Sequence, residues 1–354
     1  MNILKPNIQF EITGASRILP ASGPITNLEI LKNFPRTADK SQGFLEKFAE
    51  KIGEEFGFHT RYWCHKPWES LDNSRELSSE SLAMQAVDKL ITHSMSKDVD
   101  AFLLGSTTNK RFTGSQAAAV LGNLKLNAPA YDLKTGCSTS LSTLHFAYAL
   151  MALGYQKILV CCSETLSKVI DPENEKTWIG LADGAASLLL EKSKEGSFTI
   201  EKSFFSTDGQ YVNAFTTQGV FPPTHEQIDS VGYHLVGDET LMKELAYSRY
   251  MQMLDHLLPT EKEKNEITWV IPHQVNRKLI DQVLHENNLN NKIIIWDADT
   301  IGNIGGASVL YTLARAVEEK LFDRSGKILL MSVGGGLSYA GQQVLNYQKA
   351  SYSN

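Results

Sequence analysis

Cysteine is scarce in this chain. The 354 residues hold four: Cys64, Cys137, Cys161 and Cys162. So few do not make a disulfide framework, and the expected setting is a reducing cytoplasm, where an isolated Cys can serve as a nucleophile. Long apolar runs are missing too. No stretch approaches the roughly 18 residues a membrane helix needs, so no membrane association is expected. The opening MNILKPNIQFEIT lacks a charged segment followed by an apolar one, so no signal peptide is expected. Basic excess is absent: 34 Lys+Arg stand against 40 Asp+Glu, a net charge of −6, which argues against a nucleic-acid partner. The sequence contains no GxxxxGK[ST], GxGxxG, HExxH, CxxC or GxSxG, which removes the common phosphate-loop, dinucleotide, metal and serine-hydrolase signatures. What remains is 42% apolar and 21% charged, an ordinary globular composition. The length suits two domains or one large fold of two halves.

Residues 38–80 are charged and aromatic by turns and read as a helix followed by surface loops. From Ser81 the chain alternates. SESLAMQAVDKLITHSM has helical spacing, and VDAFLLGST is a buried strand. GSQAAAVLGNL is helical, and APAYDLKTG is a strand and turn. SLSTLHFAYALMALGY is apolar almost all round, which predicts a helix in the core. KILVCCSE and GAASLLLEK are strands. The second half repeats this order. A long amphipathic helix (LVGDETLMKELAYSRYMQMLDHLL) precedes the strand EITWVIPH, the helix QVNRKLIDQVLHENN, the strand KIIIW, the helix GGASVLYTLARAVEEKLF and the strands KILLMSVGGG and YAGQQVLNY. Strands alternating with helices predict an α/β fold with parallel pairing. Two similar βα halves predict a duplication, residues 1–195 and 196–354.

Four segments could carry chemistry. In TGCSTSLSTLHFAYALM, Cys137 sits between a Gly turn and the first turn of the buried helix. A helix N-terminus offers free N–H groups and partial positive charge, which would lower the thiol pKa. The same segment also fits a small buried cysteine. In WVIPHQVNRKL, His273 follows an apolar strand through Pro272, at the strand edge where α/β active sites gather. A loop histidine with a satisfied hydrogen bond is the other reading. In TIGNIGGASVLYTLARA, Asn303 lies in a Gly-rich turn that lets backbone approach a ligand, or merely shapes the turn. In SVGGGLSYAG, Gly334 to Gly336 end a strand and expose N–H groups that could hold an oxyanion, or make a bend. Cys161 and Cys162 are neighbours on a predicted strand and point to opposite faces, so they read as packing. His145, on a helix dense with apolar residues, reads the same way.

A Cys at a helix start, a PHxxN strand end, a GNxGxAS turn and a late GGG, in that order, resemble the thiolase-fold condensing enzymes, above all the β-ketoacyl-[acyl-carrier-protein] synthase III family and its secondary-metabolism relatives. GLADGAASLLLE is similar to the family's GDGAGA strand, and SRILPASGPITNLEIL to its opening GxYLP…TN segment. The resemblance runs from about Val99 to Tyr347. It implies a five-layered αβαβα fold. It implies Cys137 as acyl-accepting nucleophile, with His273 and Asn303 promoting decarboxylation and condensation. The backbone N–H groups of Cys137 and Gly335 would form the oxyanion hole. Phe112 and Thr139 become candidates for the acyl pocket, and Arg277 and Lys278 for the carrier protein's acidic helix. Homodimers, thioesters of coenzyme A or acyl carrier protein as substrates, and no metal or redox cofactor are implied as well.

Two departures stand out. Ser138, Thr139 and Ser140 follow the Cys where the family has a smaller run, which alters the pocket floor. The Trp and Arg pattern that grips coenzyme A near the N-terminus is not recognisable, and the aromatic stretch 38–80 replaces it, pointing to a donor on a carrier protein. The competing readings are a ketosynthase that condenses with a β-ketoacyl thioester and cyclises (dialkylresorcinol or quinolone type), a non-condensing acyltransferase using Cys137, and an inactive partner subunit of a synthase.

Overall fold

The computed structural model describes residues 3–70, 76–94, 98–171, 173–219, 222–229 and 231–347. Ten strands carry the fold. The first five are β1 (Ile8–Ile18), β2 (Ala101–Gly105), β3 (Ala130–Leu133), β4 (Lys157–Thr165) and β5 (Asp183–Lys192). The second five are β6 (Phe198–Thr207), β7 (Ile267–Pro272), β8 (Ile293–Ile294), β9 (Gly326–Gly334) and β10 (Ser338–Asn346). Their spatial order is β3-β2-β4-β5-β1 and then β6-β10-β9-β7-β8. Counted within each half, the order is the same. So is the pairing: β2 runs parallel to β3 and β4, and β5 antiparallel to β4 and β1. β7 runs parallel to β8 and β9, and β10 antiparallel to β9 and β6. A short antiparallel contact, Ile8–Phe10 against Phe198–Ile200, joins β1 to β6.

Six helices complete the layers: α1 (Ser79–Ser94), α2 (Gln116–Leu124), α3 (Thr139–Ala152), α4 (Glu239–Leu257), α5 (Arg277–Glu286) and α6 (Ser308–Glu318). α3 and α6 touch strands of both halves and form the middle layer. α1 and α2 cover the outer face of the first sheet, and α4 lies on the outer face of the second with α5 beside it. The result is five layers, αβαβα. The all-round apolar character of α3 has its reason here: Leu141, Leu144, Ala147 and Met151 are each at most 1% exposed between two sheets. Cys161 faces the outer core with α1, and Cys162 the inner core with α3, as strand alternation requires.

Two expectations are corrected. The segment KIIIW yields only the short edge strand Ile293–Ile294. Trp296 leaves the sheet plane to lie beneath the Arg277 guanidinium, 5.5 Å from the ring centre. Over their described part, 38–70 and 76–80, residues 38–80 are not a helix followed by surface loops; 71–75 lie outside the described residues. The helix Gln42–Phe56 is present, but Phe58, Arg61, Trp63 and Cys64 after it are all buried. Aromatic surface drives this: Trp63 packs edge-on to Trp178 at 6.2 Å and to Trp68 at 6.0 Å, building a small separate core.

Candidate active site

Cys137 precedes the helix cap Ser138 of α3. The turn before it is enforced: Gly136 has φ +60°, and a Cβ there would collide with the Gly335 carbonyl oxygen. The second half grips this turn. Ser332 Oγ donates to the Cys137 carbonyl at 2.9 Å, and Ser138 Oγ donates to the Ser338 carbonyl at 2.8 Å. Burial pushes the Cys137 thiol up to about 11. The backbone N–H of Gly335 opposes this, the Glu164 carboxylate adds to it, and the N–H of Cys137 itself opposes it. The expected lowered pKa is therefore corrected: dehydration outweighs the helix end, and the resting group is a thiol.

His273 stands one residue beyond β7, its N–H on the Met331 carbonyl at 2.7 Å. It is 1% exposed, and neither ring nitrogen has a hydrogen-bond partner among the described residues. Burial lowers its pKa to about 4, so the ring is neutral at physiological pH. The loop-histidine reading with a satisfied ring does not hold.

Asn303 lies in the turn before α6. Its Oδ1 accepts from the Gly305 N–H at 2.9 Å and the Ser308 hydroxyl at 3.3 Å. With the oxygen occupied, the Nδ2 end is left to donate. Gly302, at φ +79°, allows the turn: a Cβ there would press on Arg61 and Ala182 at 2.7 Å.

The three turns meet around the end of β9 and the start of α3. His273 binds Met331, and the next residue, Ser332, binds Cys137. The Asn303 turn closes on the same helix, with Ser140 Oγ donating to the Gly306 carbonyl at 2.5 Å. Thr139 is fully buried; its hydroxyl donates to the Gly136 carbonyl at 2.6 Å, so it shapes the Cys137 turn. Phe112 is 76% exposed on the loop between β2 and α2. Arg277 opens α5 and pairs with Asp281 at 2.9 Å, while Lys278 beside it is exposed.

Sequence reasoning missed a buried carboxylate. Glu164, fully buried at the end of β4, accepts from the N–H and hydroxyl of both Thr107 and Thr108 at 2.7–3.1 Å. Burial raises it to about 7, against those four donors. The one available clue was an acidic residue closing the apolar run KILVCCSE. Among the described residues, no group of three or more His, Cys, Asp or Glu is placed to hold a metal ion.

A duplicated βα sandwich with a thiol at the head of its middle helix defines a class, the thiolase-fold condensing enzymes. Two family models match: 3-oxoacyl-[acyl-carrier-protein] synthase III over residues 131–209, and its C-terminal model over 259–346. The β-ketoacyl-[acyl-carrier-protein] synthase III of Streptococcus agalactiae is 30% identical over 274 residues, 75% of this chain and 84% of that protein. The Streptococcus gordonii enzyme of that name is 30% identical over 311 residues, 86% and 92%. The chain belongs to the β-ketoacyl-[acyl-carrier-protein] synthase III family and is a condensing ketosynthase, an acyltransferase. In fold it matches the Pseudomonas aeruginosa 3-oxoacyl-(acyl carrier protein) synthase III structure (TM-score 0.80, 20% identity, 96% and 99% coverage). It matches the priming β-ketosynthase of the R1128 polyketide pathway equally (TM-score 0.80, 21% identity, 98% and 98% coverage). No described helix is long and apolar enough to cross a membrane.

Proposed function

We propose that Cys137 is the acyl carrier of this ketosynthase and that His273 and Asn303 handle the malonyl half-reaction. Cys137 Sγ attacks the carbonyl of an acyl thioester of coenzyme A or acyl carrier protein. The new C–S bond replaces the old one, and the cysteine proton ends on the departing thiol. The amides of Cys137 and Gly335 hold the intermediate oxyanion; each such donor is worth roughly 3–4 kcal/mol. A malonyl-type thioester then loses carbon dioxide. The electron pair of the broken C–C bond becomes an enolate, whose oxygen accepts from a His273 ring N–H and from Asn303 Nδ2. A neutral imidazole suits this, since it donates a hydrogen bond without surrendering its proton. The enolate carbon attacks the Cys137 thioester, the β-keto thioester leaves, and the released thiolate regains a proton. The scheme uses no metal or redox cofactor.

The observation that carries this reading is the meeting of the three turns: Ser332 bonds the Cys137 carbonyl, the His273 N–H bonds the adjacent Met331, and Ser140 bonds the Gly306 carbonyl of the Asn303 turn. On the same reading Lys278 and Arg277 meet an acidic carrier helix, Phe112 and Thr139 border the acyl pocket of a homodimer, and 1–195 and 196–354 are the duplicated units. The test is intact-protein mass after exposure to acyl thioesters. Cys137→Ser should show no acyl adduct, and an undiminished adduct removes Cys137 from the mechanism.

A further inference from the structure

The Asn303 turn is held by residues that the fold brings from the N-terminal aromatic segment. Its backbone pairs with residues 180–182: the Asn303 N–H donates to the Gly180 carbonyl at 2.8 Å, and the Ala182 N–H to the Asn303 carbonyl at 2.9 Å. The carbonyls on either side of that contact are taken by two buried side chains. Arg61 Nη2 donates to the Ile179 carbonyl at 2.6 Å, and Trp63 Nε1 to the Leu181 carbonyl at 2.7 Å. The same Arg61 nitrogen donates to Asn27 Oδ1 at 2.6 Å, and Asn27 Nδ2 donates to the Phe58 carbonyl at 2.8 Å. The Arg61 stem lies where a Cβ on Gly302 would fall. One residue earlier, Thr60 Oγ1 donates to the Thr300 carbonyl at 2.5 Å, and the His59 N–H to the Asp299 carbonyl at 2.8 Å.

Arg61 is unusual in its setting. It is 0% exposed, and among the described residues no carboxylate pairs with it and its Nε and Nη1 have no partner. A buried cation in that state is costly, and replacing it by a packed apolar residue is often neutral or better for stability. Packing of the small aromatic core alone therefore gives no reason for a guanidinium. Placement of the Asn303 amide does, because a carboxamide that stabilises a developing enolate must be held to a fraction of an ångström.

We infer that Arg61 and Trp63 are positioning residues for Asn303: they fix residues 179–182, and those fix the carboxamide that faces the enolate. The inference rests on the reading of Asn303 given above. It predicts a split between the half-reactions, because acylation of Cys137 does not use Asn303.

The experiment compares Trp63→Phe, Arg61→Lys, Arg61→Met and Asn303→Ala. Acylation is read by intact mass, and labelled carbon dioxide release from a malonyl thioester gives the second step. Trp63→Phe removes the indole N–H together with three ring atoms, and the acylation step controls for the loosening that this causes. It should acylate within about twofold of the parent while decarboxylation falls roughly ten- to hundredfold. Arg61→Lys should retain more decarboxylation than Arg61→Met. In the Asn303→Ala background, Trp63→Phe should cost nothing further, a non-additivity that general loosening of the fold would not produce. If Asn303→Ala loses decarboxylation while Trp63→Phe and Arg61→Lys keep it, the clamp is wrong and the Asn303 reading stands. If Asn303→Ala itself keeps it, the Asn303 reading falls and takes the clamp with it. Equal losses in both half-reactions overturn the clamp as well.

Discussion

A single carboxylate shows how far burial can reset a group in this protein. Glu164 holds its proton more tightly in the folded chain, with a pKa near 7 against an ordinary 4.5. Between those two pH values the unfolded chain releases a proton that the native state keeps. Rising pH therefore erodes the stability contributed by Glu164 across that window, by ~3 kcal/mol in all, and the loss levels off above pH 7. His273 works in the opposite direction: its pKa falls from 6.5 to about 4, so falling pH costs stability over that range. Subtracting a Glu164→Gln variant isolates the first effect. The variant should gain in melting temperature relative to the parent as pH rises from 4.5 to 7. A constant difference would mean that Glu164 titrates normally. The neutral state of His273 makes a kinetic prediction too. Decarboxylation should show no inflection from this imidazole between pH 5.5 and 8, and a His273 ring signal that titrates near 6.5 by NMR would contradict it. Cys137, His273 and Asn303 stand out in the sequence as candidates because each sits at a Gly or Pro turn beside an apolar element. Glu164 does not, because its partners Thr107 and Thr108 come from a loop more than fifty positions away.

At the scale of elements, hydrophobic pattern did most of the work. α3 reads as a core helix because it carries no Asp, Glu, Lys or Arg and its polar side chains are mostly small Ser and Thr, and it lies between two sheets. Leu144, 1% exposed in that layer, should lose ~2–5 kcal/mol on replacement by Ala, measured by urea unfolding. A loss under ~1 kcal/mol would mean that the helix is not enclosed on both sides. The segment after Phe56 was misread for the complementary reason. Charged residues alternate there with aromatics, which looks like surface, yet Trp63 and Arg61 turn inward onto Trp178 and Ile179. Such partners are distant in sequence, and no local period announces them.

For the whole molecule, the repeat of strand order could be anticipated from two similar βα successions, but the neighbours could not. β5 returns antiparallel beside β4, and β6 touches β1, pairings set by how two sheets clasp a shared helix layer. Net charge also acts at this scale. A chain carrying −6 repels an acidic carrier protein, so docking depends on a local cationic spot. Lys278→Glu should raise KM for carrier-borne donors several-fold and steepen the penalty at low salt, while coenzyme A thioesters are little affected. Equal KM changes for both donors would move the docking face elsewhere.

The hydrogen bonds from Ser332 and Ser138 that bind the Cys137 turn to β9 and β10 have an implication for biosynthesis. A ribosome that has delivered only the first two hundred residues has made the sulfur but not the amide of Gly335 that faces it. The surroundings that raise the Cys137 thiol's pKa are completed only by residues 332–338, so a fragment lacking them should react with a thiol reagent as an ordinary exposed cysteine does.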